Sequence, residues 1–83
     1  MPYGEGMEKK KTLAQLEVGE TGLVIGLGGR GGVRRRMLDL GLTEGTRVSC
    51  IGRSPLGDPS AYLVRDKMIA IRKEDAEDII LKI

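Results

Sequence analysis

The 83-residue chain has no histidine, no tryptophan and no phenylalanine, a single cysteine and two tyrosines. A tight transition-metal site takes three or four ligands from His, Cys and carboxylates, so an autonomous iron or zinc centre is not expected around Cys50. One cysteine also excludes an internal disulfide framework. There is no His base, no Ser or Cys with a visible partner, and no carboxylate pair in an apolar setting, so the chain reads as a non-enzyme. No apolar run approaches the roughly 20 residues of a bilayer-spanning helix, which argues against membrane insertion. Nor does the N-terminus carry the apolar core of a secretory leader, so a reducing cytoplasm is the expected location.

Forty per cent apolar and 31% charged residues describe a globular chain, and its length allows one small domain. A core of this size supplies only about 3–5 kcal/mol of net stability, which favours an economical, closed architecture. Fourteen basic against twelve acidic side chains leave a net charge of +2, too little to argue nucleic-acid binding from total charge. The charges are grouped instead: Lys9–Lys11 and Arg34–Arg36 are basic, while Glu74, Asp75, Glu77 and Asp78 are acidic.

Residues 1–11, MPYGEGMEKKK, have no periodicity and read as a disordered tail in which Met7 is an alternative start. The domain is expected over residues 12–83. Thr12 and Gln15 have capping-box spacing, which predicts a short N-terminal helical turn burying Leu13 and Leu16. GLVIG reads as the first strand, at about residues 20–27. From Val33 the apolar positions 33, 37, 38 and 40 have helical spacing, and Gly41 followed by Leu42 reads as a left-handed C-terminal cap. TRVSCIGRS alternates, with Val48 and Cys50 facing inward. SPLGDP is a loop, SAYLVR a strand, Asp66-Lys67 a tight turn into MIAIR, KEDAED a helical turn, and IILKI a last strand with Ile79, Leu81 and Ile83 inward.

This pattern predicts a mainly β fold: a small five-stranded barrel with one short helix between the first two strands. The expected core is aliphatic: Leu16, Val18, Leu23, Ile25, Met37 and Leu40 from the first half. Val48, Leu63, Ile69, Ile71, Ile79 and Leu81 complete it. Ile51 and Ile80 alternate outward and are candidate self-association contacts.

One motif invites a nucleotide. Gly26, Gly28 and Gly31 in GLGGRGG satisfy G-x-G-x-x-G. A dinucleotide fold, however, needs a second strand ending in a carboxylate, and none occurs from Arg47 through Ser54. A Walker loop needs Lys-Ser/Thr after the last glycine, where Gly32 and Val33 stand. The three arginines that follow oppose the helix dipole. They read either as a solvated helix face, with Arg35 beside Asp39, or as a docking surface for carboxylates or phosphates.

Taken together, RRRMLDLGLTEGT, the SPLGDP loop after Arg53 and IAIRKEDAEDI, in this order over residues 12–83, resemble the ferrous iron transport protein A (FeoA) family. The resemblance implies a cytoplasmic SH3-like barrel that assists a FeoB-type membrane ferrous iron transporter by contacting its cytosolic GTP-binding part. The same barrel is similar to the C-terminal domain of iron-dependent repressors of the diphtheria-toxin-repressor type. The chain departs from the family pattern in its 11-residue tail and at Asp66-Lys67, where a glycine often forms the turn.

Three readings follow. The first is a non-catalytic accessory protein of iron uptake without a cofactor, docking through Arg34, Arg35 and Arg36 with Leu56, Gly57 and Asp58 at the loop tip. The second is a repressor-like SH3 domain with weak transition-metal binding through carboxylates and Cys50. The third is a nucleic-acid-binding barrel using Lys9–Lys11 and the arginines, against which the lack of stacking aromatics argues.

Overall fold

In a computed structural model of the chain, residues 9–29 and 31–83 are described. They form β1 (Lys10–Thr12), a 3₁₀ turn (Leu13–Gln15), β2 (Thr21–Leu27), α1 (Gly31–Asp39), β3 (Arg47–Arg53), β4 (Ser60–Val64), β5 (Lys67–Ile71), α2 (Lys73–Ala76) and β6 (Ile79–Lys82). All the strand pairings are antiparallel, in the order β1-β6-β2-β3-β4-β5. The fold is mainly β with short helices, as expected, but it has six strands rather than five. The ladder is open: β1 and β5 are its two edges, so hydrogen bonding does not close a barrel.

The additional strand begins in the segment read as tail, with Lys10 and Lys11, and ends at Thr12. Lys10 pairs with Lys82, Lys11 with Leu81 and Thr12 with Ile80. An edge strand can be held by its backbone while its side chains stay in water, so hydrophobic periodicity gives no sign of it. The part of the tail before Lys9, including Met7, lies outside the described residues. The 3₁₀ turn starts where the capping-box spacing placed it, with Gln15 Oε1 accepting from Thr12 N–H at 2.9 Å. Leu13 and Leu16 are both fully buried.

The C-terminus of α1 follows the sequence reading closely. Gly41 has φ +96°, its N–H donates to Leu38 O at 3.0 Å, and Leu42 N–H donates to Met37 O at 3.0 Å. This pair of bonds is a Schellman cap, and Leu42 is buried as its apolar partner.

The core contains Leu16, Met37, Val48, Cys50, Ile71, Ile79 and Leu81 as expected, but two strands are read in the wrong phase. In β2 the inward residues are Gly22 and Val24, with Leu23 and Ile25 only half-buried. In β4 they are Ser60, Tyr62 and Val64, and Leu63 is exposed. A one-residue shift exchanges the faces of a strand. Neither sequence forbids the shift, because GLVIGL has no polar residue to set its phase and Ser60 and Tyr62 carry polar atoms into the interior. Val18, Leu40 and Ile83 are exposed as well. Val18 stands in the turn after Leu16, Leu40 is the last residue before the cap, and Ile83 is one residue beyond β6.

The β4–β5 turn is Arg65-Asp66 rather than Asp66-Lys67, with φ of 51° and 69°. Both central residues of a type I′ hairpin turn have positive φ, which glycine adopts most easily. Asp66→Gly is expected to stabilise the protein by up to about 1 kcal/mol. A higher urea midpoint with unchanged slope is the result to look for; an unchanged midpoint would contradict the turn geometry.

Candidate functional site

The glycine-rich segment forms its close contacts within the protein. Gly28 N–H donates to Asp78 O at 2.5 Å, and a Cβ at Gly28 would stand 3.2 Å from that oxygen. At Gly29, with φ +78°, a Cβ would likewise stand 3.2 Å from Asp78 Oδ2. An acidic side chain therefore faces the loop where a phosphate would have to sit. The glycines let the chain leave β2 and pass over the α2–β6 junction into α1.

Two of the three arginines on α1 are tied back to the protein. Arg34 Nη1 donates to Leu27 O at 2.7 Å, joining the helix to the end of β2. Arg36 pairs with Asp75 of α2, whose side chain is only 14% exposed while that of Arg36 is 58% exposed. Arg35 is exposed and makes no hydrogen bond or ion pair among the described residues, so the expected Arg35–Asp39 pair is not formed. The arginine face thus presents one free guanidinium and a second that is half engaged.

The loop tip separates in the same way. Leu56 is 94% exposed, and Gly57 turns the chain at φ +89°. Asp58 is committed elsewhere: its Oδ1 accepts from Lys73 N–H at 2.8 Å, satisfying a donor at the start of α2. α2 therefore meets both candidate segments, Asp58 at its first residue and Arg36 at Asp75. Among the described residues no hydrogen bond or ion pair joins the α1 arginines directly to the loop.

Sequence reading missed Arg53 as a structural residue. Its Nη1 donates to Ser60 Oγ at 2.9 Å and its Nη2 to Leu16 O at 2.8 Å, joining β3 and β4 to the N-terminal turn. Leu16 lies 37 residues away, and a backbone acceptor at that distance leaves no local signal. The lysine cluster is also partly spent: Lys11 Nζ lies 2.9 Å from Glu20 Oε2. The backbone N–H of Glu17, helped by Lys11, holds the Glu20 carboxyl below the usual carboxylate range. Cys50 is buried, and among the described residues no group of three or more His, Cys, Asp or Glu is placed to hold a metal ion. No helix among them is long and apolar enough to cross a membrane.

A family model for the FeoA domain matches residues 11–83. The Fe(2+) transport protein A/Fe(2+) transporter FeoB fusion protein of Porphyromonas gingivalis is 33% identical over 67 residues, which is 81% of this chain and 8% of that protein. The chain thus corresponds to less than a tenth of this relative. The NMR structure of a FeoA-like protein from Clostridium acetobutylicum is 34% identical with a TM-score of 0.81, over 88% of this chain and 85% of that one. The IdeR protein of T. acidophilum shares the fold, with 16% identity and a TM-score of 0.78 over 89% of this chain and 34% of that one. The fold is SH3-like, and it is shared with part of a manganese-dependent transcriptional repressor, at 15% identity with a TM-score of 0.79.

Proposed function

Because the chain belongs to the FeoA family, we propose that it is a non-catalytic accessory protein of ferrous iron uptake, acting in the cytoplasm by docking onto the cytosolic part of a FeoB-type transporter. The observation that carries this reading is the relative in which Fe(2+) transport protein A and the transporter FeoB are one polypeptide. A covalent linker raises the effective concentration of two modules that work together, often to the millimolar range. Where the modules are separate chains, a docking surface must supply that proximity.

The surface is the exposed part of the two segments singled out from sequence: Arg35, the outer side of Arg36 and the Leu56 tip. Arg34 and Asp58 belong to its support, since their hydrogen bonds hold α1 and the loop in place. An exposed guanidinium suits carboxylates of a partner, and a fully exposed leucine suits an apolar pocket.

The test is a variant carrying Arg35→Glu and Leu56→Asp, neither of which breaks a hydrogen bond described above. Its affinity for the isolated cytosolic part of the transporter is expected to fall at least tenfold, with an unchanged thermal midpoint. Unchanged affinity would remove this surface from the docking reading.

A further inference from the structure

β5 is an outer strand of the sheet, and its hairpin determines which backbone groups it leaves unused. The two-residue Arg65-Asp66 turn makes the flanking Val64–Lys67 pair the hydrogen-bonded one that closes the hairpin. Hydrogen-bonded and non-hydrogen-bonded pairs alternate along an antiparallel ladder. Leu63–Met68 and Ala61–Ala70 are therefore non-hydrogen-bonded pairs. The N–H and C=O groups of Met68 and Ala70 accordingly point away from β4. Both residues are exposed, Met68 at 68%, and among the described residues no other element hydrogen-bonds to their backbone.

A groove of about 680 Å³ separates this edge from α1. Val33, Met37 and Leu40 of α1 line one side; Ala70, Ile71 and Arg72 line the other. Ala70 brings its outward main-chain groups to one wall, with those of Met68 two residues further along the same edge, and the other wall offers aliphatic surface. At the α2 end, Asp75 engages one edge of Arg36 while Arg72 has no side-chain partner among the described residues. Two guanidiniums thus face the groove against the one unengaged carboxylate of Glu74. The opposite edge of the sheet differs: β1 has three residues, two of them lysine, a common guard against strand pairing. β5 carries a lysine only at its first position and is otherwise apolar.

We propose that the groove between α1 and β5 binds an extended peptide segment by strand addition. Aliphatic side chains of the peptide enter against Val33 and Leu40, and a carboxylate at the α2 end of the groove meets Arg36 and Arg72. The main chain supplies affinity through Met68 and Ala70, and the side chains supply specificity. This deepens the docking reading and rests on it only for the identity of the partner, because the groove is testable without a transporter.

The probe is an acetylated, amidated heptapeptide alternating valine with glutamate, titrated into the isotope-labelled full chain and followed by amide chemical shifts and hydrogen exchange. Shifts should centre on Met68, Ala70, Arg72 and α1, with exchange slowed at Met68 and Ala70. The same peptide with lysine for glutamate should bind at least tenfold more weakly. Ala70→Pro removes an N–H that β4 does not use and should weaken binding at least tenfold. If that variant does not fold, Leu40→Asp on the other wall serves the same purpose. Absent shifts at millimolar peptide, shifts centred elsewhere, or equal affinity for both peptides would overturn the proposal. So would slowed exchange at Met68 and Ala70 that grows with protein concentration alone, since a second copy would then occupy the edge. Peptide binding that fails while the Arg35→Glu, Leu56→Asp variant loses transporter affinity leaves the docking reading standing; the reverse pair of results removes that reading and keeps the groove.

Discussion

Tyr62→Ala is expected to leave most of the protein unfolded at room temperature. Tyr62 heads the fully buried side chains by volume, is 1% exposed, and lies at the middle of β4. Truncating a buried aromatic residue costs about 3–5 kcal/mol through lost transfer energy and the cavity left behind. A domain of this size has only about that much in total. The hydroxyl is a minor part of the effect. It donates to Leu13 O at 3.3 Å, a long hydrogen bond, so Tyr62→Phe should cost about 1 kcal/mol or less. Burial also pushes the Tyr62 phenol up from its ordinary pKa, because the phenolate would have to form inside the core. Far-ultraviolet circular dichroism across a urea series separates the two variants. A Tyr62→Ala protein as stable as Tyr62→Phe would mean that the aromatic ring is not the centre of this core.

Gly22→Val should destabilise by overfilling the core, by about 1–3 kcal/mol. A Cβ at position 22 would stand 3.1 Å from the Cδ1 atoms of Ile83 and Leu81 and 3.2 Å from Leu81 Cβ. The two methyl ends can rotate aside. Leu81 Cβ is fixed to the backbone of β6 and cannot, and valine adds two further methyl groups at that point. Gly52 is the natural control, since it also sits in a strand but has nothing within 4 Å of its Cβ position. Gly52→Val should leave the urea midpoint nearly unchanged or raise it. If the two substitutions behaved alike, the inward assignment of Gly22 and Val24 would be wrong.

That comparison also shows where the sequence was readable. β3 alternates polar with apolar positions from Arg47 to Cys50, and β6 is short and ends on Lys82; Val48, Cys50, Ile79 and Leu81 are inward as read. β2 is apolar or glycine almost throughout, so its phase depends on what it packs against. Gly22 lies inside because Leu81 leaves no room for more, a fact of tertiary packing that no window of residues contains. The α1 cap was legible to the residue because a Schellman motif is local chemistry, a left-handed glycine and the two hydrogen bonds around it.

The candidate surface was legible only as composition. Three consecutive arginines look equivalent along the chain, yet their roles divide according to where the helix axis points them. Arg34 reaches back to Leu27, Arg36 reaches Asp75 some 39 positions away, and Arg35 is left to solvent. The edge of β5 gives even less sequence signal, since it consists of backbone groups and owes its availability to the two-residue turn before it.

The pairing of β1 with β6 has a mechanical consequence. Lys10 lies opposite Lys82, and Ile83 N–H donates to Lys9 O at 2.9 Å, so the chain enters and leaves the domain side by side. A pull applied between those two points loads the β1–β6 bonds one at a time, as in opening a zipper, rather than all together in shear. The strand pair should therefore peel at low force while the rest of the sheet holds. Neighbouring ends also let a domain be joined into a longer polypeptide without separating its strands. If this domain is tethered at both ends, tension in the linkers would be felt first by the three residues of β1.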